Sequence, residues 1–132
     1  MQEDNPVVLQ DQAVMAAHND FGIKGEDIAI QYLRTKGYDI VDKNWRSGHK
    51  EIDVIAIKDD TVVFVEVKAR ANVFYGKPED AVDFRKMRNL INAADAYLRL
   101  NMIDLPCRFD IITITGAVEN PHIRHIEQAF RP

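Results

Sequence analysis

Two runs of the chain, Lys50 to Ile57 and Thr61 to Lys68, alternate as strands do and meet at Asp59-Asp60, which predicts a β-hairpin. With Lys58 and Thr61 flanking a two-residue loop, Ile52, Val54 and Ala56 oppose Val67, Val65 and Val63 on one wholly apolar face. On the other face Ile55 and Ile57 oppose Phe64 and Val62 near the turn, and only the far end is polar. There Asp53 lies across from Glu66, and Glu51 across from Lys68. Asp-Asp suits a type I′ turn less well than Asn-Gly does, and a three-residue loop would slip this register by one.

The flanking elements follow from periodicity. Phe21, Ile28, Ala29, Tyr32 and Leu33 recur at helical spacing, and Gly37 supplies a stop. Tyr38 to Trp45 predicts a first strand that leads through Ser47-Gly48 into the hairpin. Ala71 to Lys77 reads as a loop, after which Pro78 or Asp83 opens a long helix ending near Leu100, with Phe84, Met87, Leu90, Ile91, Ala94 and Leu98 as its apolar stripe. Arg108 to Thr115 is rich in β-branched residues and predicts a strand; strand, helix and strand of this length make a right-handed parallel crossover. A short last strand is expected around His122 to Ile126. Residues 1–18 predict a flexible segment, with at most a short helix from Gln12 to His18, and residues 19–132 a single α/β domain.

The 132 residues, 46% hydrophobic and 29% charged, suffice for one sizeable core and leave no room for a second domain. The start of the chain lacks the basic and apolar regions of a signal peptide, and no run reaches the length of a membrane span, so the expected location is cytoplasmic and no membrane is expected as a partner. The single cysteine, Cys107, excludes an intramolecular disulfide and a cysteine metal cluster, and reads as an ordinary small apolar residue. A net charge of -4 argues against coating nucleic acid by bulk electrostatics. The charge is uneven, however: Met1 to Asp42 carries 3 basic and 8 acidic residues, whereas Lys43 to Arg88 carries 10 and 8. That middle third supplies enough lysine and arginine for a phosphate-binding rim around an acidic site.

Like charges set opposite each other on a sheet are destabilising, so Asp53 and Glu66 call for a cation, a shared proton or a basic neighbour. Lys68, two residues from Glu66 on the same face, is that neighbour, and Mg²⁺ is the cation that suits two hard oxygen ligands. The bland alternative is a surface salt bridge, which explains any two of the three residues but sits poorly on strands apolar on both faces. Trp45 reads as a core anchor rather than a base-stacking platform. His122 and His125 do not make a helical metal pair if they lie on a strand, which argues against zinc.

Asp on the second strand and Glu-x-Lys on the third, in an α-β-β-β-α-β order, resemble the PD-(D/E)XK, or restriction-endonuclease-like, nuclease superfamily. Within it the chain is similar to the uncharacterised YraN-like family, whose core looks like that of Holliday-junction resolvases. The resemblance covers roughly Phe21 to Thr115 and rests on Gly22-Ile-Lys-Gly-Glu26, Tyr32-Leu33, Gly37-Tyr38, Asn44-Trp45-Arg46, Glu51-Ile-Asp-Val-Ile-Ala56, Val63-Phe-Val-Glu-Val-Lys68, Arg70, Gly76-Lys-Pro78, Ala81-Val82, Lys86, Tyr97-Leu98 and Arg108-Phe-Asp110. The chain departs from the pattern at Ile52, where the superfamily has proline, and at Lys50, where the family has glycine.

The resemblance implies a mixed sheet flanked by helices and a metal-dependent endonuclease hydrolysing phosphodiester bonds in DNA, branched DNA among the candidates. Asp53, Glu66, Lys68 and Glu26 would be catalytic. Asp53, Glu66, the Val67 carbonyl and Glu26 would hold Mg²⁺ or Mn²⁺. Arg46, Arg70 and Lys86 are candidate phosphate contacts, against the plain reading of solvated surface cations; the plain alternative for Glu26 is that it merely complements a helix N-terminus. The resolvase version adds a homodimer. The competing expectation is a non-catalytic nucleic-acid-binding or protein-interaction module on the same fold.

Overall fold

The computed structural model describes residues 25–70, 84–117 and 119–132. A helix over residues 25–35, α1, is followed by β1 (Asp39–Ser47), β2 (Lys50–Lys58), β3 (Thr61–Arg70), α2 (Phe84–Leu100), β4 (Cys107–Ala117) and β5 (Asn120–Phe130). The five strands form one sheet in sequential order, antiparallel throughout except for β3 and β4, which are parallel. The expected α-β-β-β-α-β core with a mixed sheet is therefore present, with β5 added at its edge. The expected N-terminal segment with its helix from Gln12 to His18, and the loop from Ala71 to Lys77 with the opening of the long helix at Pro78 or Asp83, lie outside the described residues.

Two apolar clusters lie on opposite faces of the sheet. Ala29, Ile30 and Leu33 of α1 pack with Val54, Ala56, Val63, Val65, Ile112 and Ile114. Leu90, Ala93, Ala94 and Tyr97 of α2 pack with Ile52, Ile55, Val62, Phe64 and Phe109. Burial on both faces explains why the hairpin reads as near-continuous hydrophobic sequence rather than as a clean alternation. Trp45 joins the α2 cluster edge-on to Tyr97 at a centroid distance of 5.2 Å, a core anchor as its sequence context predicted.

Local chemistry fixes the ends. α1 stops in a Schellman motif: the Tyr38 amide donates to the Leu33 carbonyl at 3.0 Å, and Gly37 takes φ 89°, the conformation glycine adopts without a steric penalty. The hairpin turn keeps its two-residue loop despite the unfavourable pair, with Asp59 at φ 52° and Asp60 at φ 59°, both left-handed as a type I′ turn demands. β5 is much longer than the expected His122 to Ile126. Its outer positions are polar or half-buried, so hydrophobic periodicity reveals only its middle, and Pro121 is accommodated because this is an edge strand.

Candidate functional site

The predicted register holds from Lys58↔Thr61 to Val54↔Val65, and there the β2–β3 ladder ends, one pair short of Asp53 and Glu66. Continued further, the ladder would aim the Val67 amide at the backbone of Ile52. Instead this amide donates to Asp53 Oδ2 at 2.9 Å. The alternation of β2 breaks at the same point. Ile52, expected on the face of Val54 and Ala56, packs with the α2 cluster, so the chain has shifted by one position across Asp53. β2 leaves β3 here but keeps its pairing with β1 on either side, Lys43↔Val54 and Trp45↔Ile52, and the shift sets the Asp53 carboxylate into the fork between β2 and β3. Glu51, expected across from Lys68, pairs with Arg46 of β1 instead, in register and at 3.1 Å.

On the other arm of the fork, β3 remains fully paired with β4 from Val62↔Cys107 to Arg70↔Thr115, so Glu66 and Lys68 stand on a continuous ladder. Both are buried. Glu66 Oε2 receives Lys68 Nζ at 3.1 Å and Lys86 Nζ, from the first turn of α2, at 2.7 Å. Lys86, anticipated only as a phosphate contact, is thus a direct partner of the candidate ligand.

These surroundings divide the protons unevenly. Burial, with the neighbouring charge of Glu66, pushes the Asp53 carboxyl up to about 7, against the lowering effect of its bond from the Val67 amide. Burial also tends to raise Glu66, but Lys86 and Lys68 outweigh it and hold this carboxyl below its ordinary range. Lys68 is pulled down, first by burial and then by the adjacent Lys86, while burial of Lys86, its largest single influence, is outweighed by its bonds to Glu66 and Lys68 and the charges of Glu66 and Asp53 together, with a net rise. Near neutrality Asp53 is therefore partly protonated, while Glu66 carries the charge that both lysines face.

Glu26 lies on α1 and bonds to the Asn44 side chain; burial raises its carboxyl and the Asn44 bond lowers it, with a net rise. It adds to the upward shift of Asp53 by charge alone. Among the described residues no three His, Cys, Asp or Glu side chains gather as a ready metal cluster, so Glu26 is near the fork without joining its two carboxylates. Gly25 explains how α1 comes so close: a Cβ there would lie 2.7 Å from the Ala69 Cβ. Asn44, at φ 51° opposite the break in β2, was not singled out from sequence as a site residue; its fitness for the left-handed region was the available signal. Of the remaining candidates, Arg70 is exposed at the end of β3 and donates to the Ala69 carbonyl, and Arg46 is occupied by Glu51.

A second polar network lies on the α1 side of β4. Asp110, its side chain fully buried, accepts from Arg108 Nε at 2.9 Å and Arg108 Nη2 at 2.8 Å, from the Gln128 amide at 3.0 Å, and lies 2.7 Å from His125 Nε2. Arg108 also donates to the Tyr38 hydroxyl, and Tyr32 reaches His125 Nδ1 at 3.1 Å. Burial pushes the Asp110 carboxyl up, but the bonds from His125, Arg108 and Gln128 hold it well below the usual range. Every bond to Asp110 ties β4 to β5 or to its own strand, which makes this a structural keystone. His122 and His125 do lie on a strand, with His125 committed to Asp110, as the argument against a helical zinc pair anticipated.

Residues 25–114 match the family model described as Uncharacterised protein family UPF0102. The chain belongs to that family. A UPF0102 protein of Bacteroides thetaiotaomicron is 49% identical over 118 residues, spanning 89% of this chain and 98% of the relative. UPF0102 proteins of Parabacteroides distasonis and Porphyromonas gingivalis are 48% and 45% identical over 116 and 118 residues, covering 88% of this chain in each case and 96% and 87% of the relatives. The matched span takes in the fork, Lys86 and the Arg108–Asp110 pair, while His125 and Gln128 of the second network lie beyond it. No helix among the described residues is long and apolar enough to cross a membrane.

Proposed function

We propose that the protein is a Mg²⁺-dependent endonuclease that hydrolyses phosphodiester bonds in DNA, with branched DNA as the first substrate to test. The observation that carries this reading is the Asp53 carboxylate set into the β2–β3 fork beside Glu66 and Lys68, with a proton affinity raised to about 7. The resemblance to the PD-(D/E)XK superfamily supports it, because the fold has the element order and the Asp and Glu-x-Lys positions which that resemblance implies.

The donor set fits a hard divalent ion. Asp53 and Glu66 offer carboxylate oxygens, and the Val67 carbonyl lies beyond the last paired residues of β2 and β3. When bound, Mg²⁺ or Mn²⁺ supplies neutralisation of the scissile phosphate and acidification of a water. Lys68, buried and steadied by Glu66, orients the attacking water and donates to charge developing on the phosphate. Arg85, Lys86 and Arg88 crowd the start of α2, whose first turn has no acidic residue, and Arg70 extends the same basic rim to guide the backbone.

The test is a panel of linear, flapped and four-way DNA substrates with Mg²⁺ or Mn²⁺. Glu66→Ala should abolish cleavage and weaken metal binding, whereas Lys68→Ala should lower turnover by about 10²- to 10⁴-fold while sparing most metal binding. A second reading, a non-catalytic nucleic-acid-binding module, is favoured by one fact: Glu66 Oε2 is paired with two lysines, Lys68 and Lys86. Absence of cleavage across the panel together with steeply salt-dependent binding would establish that module instead. The resolvase version requires a two-fold homodimer, and a monomer by light scattering with and without junction DNA removes it.

A further inference from the structure

Glu66 Oε2 is shared by two ammonium groups, and the two are not equally held. Lys68 projects from β3 with its side chain 9% exposed, whereas Lys86 projects from the first turn of α2 with its side chain 44% exposed. A lysine buried on a central strand has no alternative place for its charge. One at the rim of a helix changes partner by rotating a flexible stem that stays in contact while the head group moves into water. Lys86 also stands in the first turn of α2, where the helix macrodipole is positive, beside Arg85 and Arg88, and Glu66 is an anion in direct contact with it.

We propose that Lys86 is the resident counter-ion of the metal-free site: it occupies the Glu66 oxygen that a divalent cation must take, and gives it up to contact a nucleic-acid phosphate as the cation enters. The inference rests on the metal-site reading above. Charge balance sets its direction. A divalent cation takes both carboxylates ionised, and with the two lysines still in place its arrival alone leaves these four side chains and the ion with an excess of two positive charges. Withdrawal of Lys86 to the rim removes one of them, and a phosphodiester meeting both Lys86 and the cation offsets another. Cation and phosphodiester therefore bind more tightly together than separately, and by linkage each tightens the other by the same factor. Lys68 stays with Glu66 throughout.

The experiment measures Mn²⁺ binding to the full chain by electron paramagnetic resonance of the free ion, with and without a phosphorothioate-linked DNA duplex that resists hydrolysis. Wild type is compared with Lys86→Met, Lys86→Arg and Glu66→Gln, each first checked for folding by circular dichroism. Lys86→Met should bind Mn²⁺ alone about tenfold more tightly than wild type, Lys86→Arg should resemble wild type, and Glu66→Gln should bind weakly. The duplex should tighten Mn²⁺ binding about tenfold for wild type and much less for Lys86→Met. Equal or weaker Mn²⁺ binding by Lys86→Met, or equal tightening by duplex in both proteins, overturns the proposal. Tighter binding by Lys86→Met in a protein that cleaves nothing supports the counter-ion role while refuting the nuclease. Failure of wild type and Lys86→Met alike to bind Mn²⁺ removes both.

Discussion

Asp53→Asn should stabilise the metal-free protein, by an amount that grows with pH. The Asp53 carboxyl is pushed from an ordinary 3.8 up to about 7, so between these values the folded state holds a proton that the unfolded chain has released. Stability therefore falls as pH rises through this window and levels off above about 7. Three units at about 1.4 kcal/mol each set a ceiling near 4 kcal/mol, of which roughly a third is already felt at pH 5. Allowing for water entering the fork, the gap between variant and wild type should widen by about 2 kcal/mol from pH 5 to pH 8. Asparagine keeps an oxygen to accept the Val67 amide, now at 2.9 Å, so the substitution removes the charge and spares the bond. Thermal unfolding in the presence of a chelator is the assay, and at roughly 4 °C per kcal/mol the difference in Tm should widen by about 8 °C. Because the comparison is between pH values, any constant effect of the asparagine cancels. A gap that stays level or narrows towards pH 8 would refute the assignment of the proton to Asp53. Adding Mg²⁺ should raise the wild-type Tm and leave the variant almost unmoved.

Further outcomes at three places in the fold can be measured by denaturant unfolding. Asp110→Ala should cost about 3–5 kcal/mol, because it strands Arg108 and His125 beside an empty buried position. Asp110 is held below its ordinary range, so its contribution is present above the unfolded value and lost as pH falls, and Asp110→Asn should flatten the acid limb of the stability profile. Gly25→Ala should cost about 1–3 kcal/mol by forcing a Cβ to within 2.7 Å of Ala69, and Ala69→Gly in the same chain should restore most of the loss. Replacing Asp59-Asp60 by Asn-Gly should raise the unfolding midpoint by roughly 0.5–1 kcal/mol, since both positions have positive φ.

The hairpin was legible because its two apolar faces leave one register that buries them both, and the parallel β4 followed from the length of the intervening helix. What sequence could not show was the end of the ladder. Strict alternation carries Asp53 to a place opposite Glu66 and Glu51 to one opposite Lys68, but a strand that leaves its neighbour no longer obeys the pleat, and Ile52 changes face. Lys86 was read only as a basic residue near the site, because its reach to Glu66 depends on where α2 begins over the sheet. The Asp110 network left a weaker trace. Arg108-Phe-Asp110 places a cation and a carboxylate on one face of a strand, yet His125 and Tyr32 lie far along the chain and nothing local joins them. β5 was shortened for a related reason, since an edge strand with solvent-facing charge lacks the hydrophobic rhythm that marks a central one.

The fork in the sheet has a consequence for how the molecule breathes. Amides alternate along a strand, and those of β3 that point towards β4 are locked into a ladder running unbroken to Arg70. The Val67 amide points the other way and depends on a side chain whose proton comes and goes near neutrality. Hydrogen exchange along a single strand should thus divide into two populations, with Glu66 and Lys68 exchanging only in large openings and Val67 in small ones sensitive to the charge on Asp53. The same partition leaves the Lys50–Asp53 end of β2 held by β1 alone, whereas Glu66 and Lys68 are held by β4.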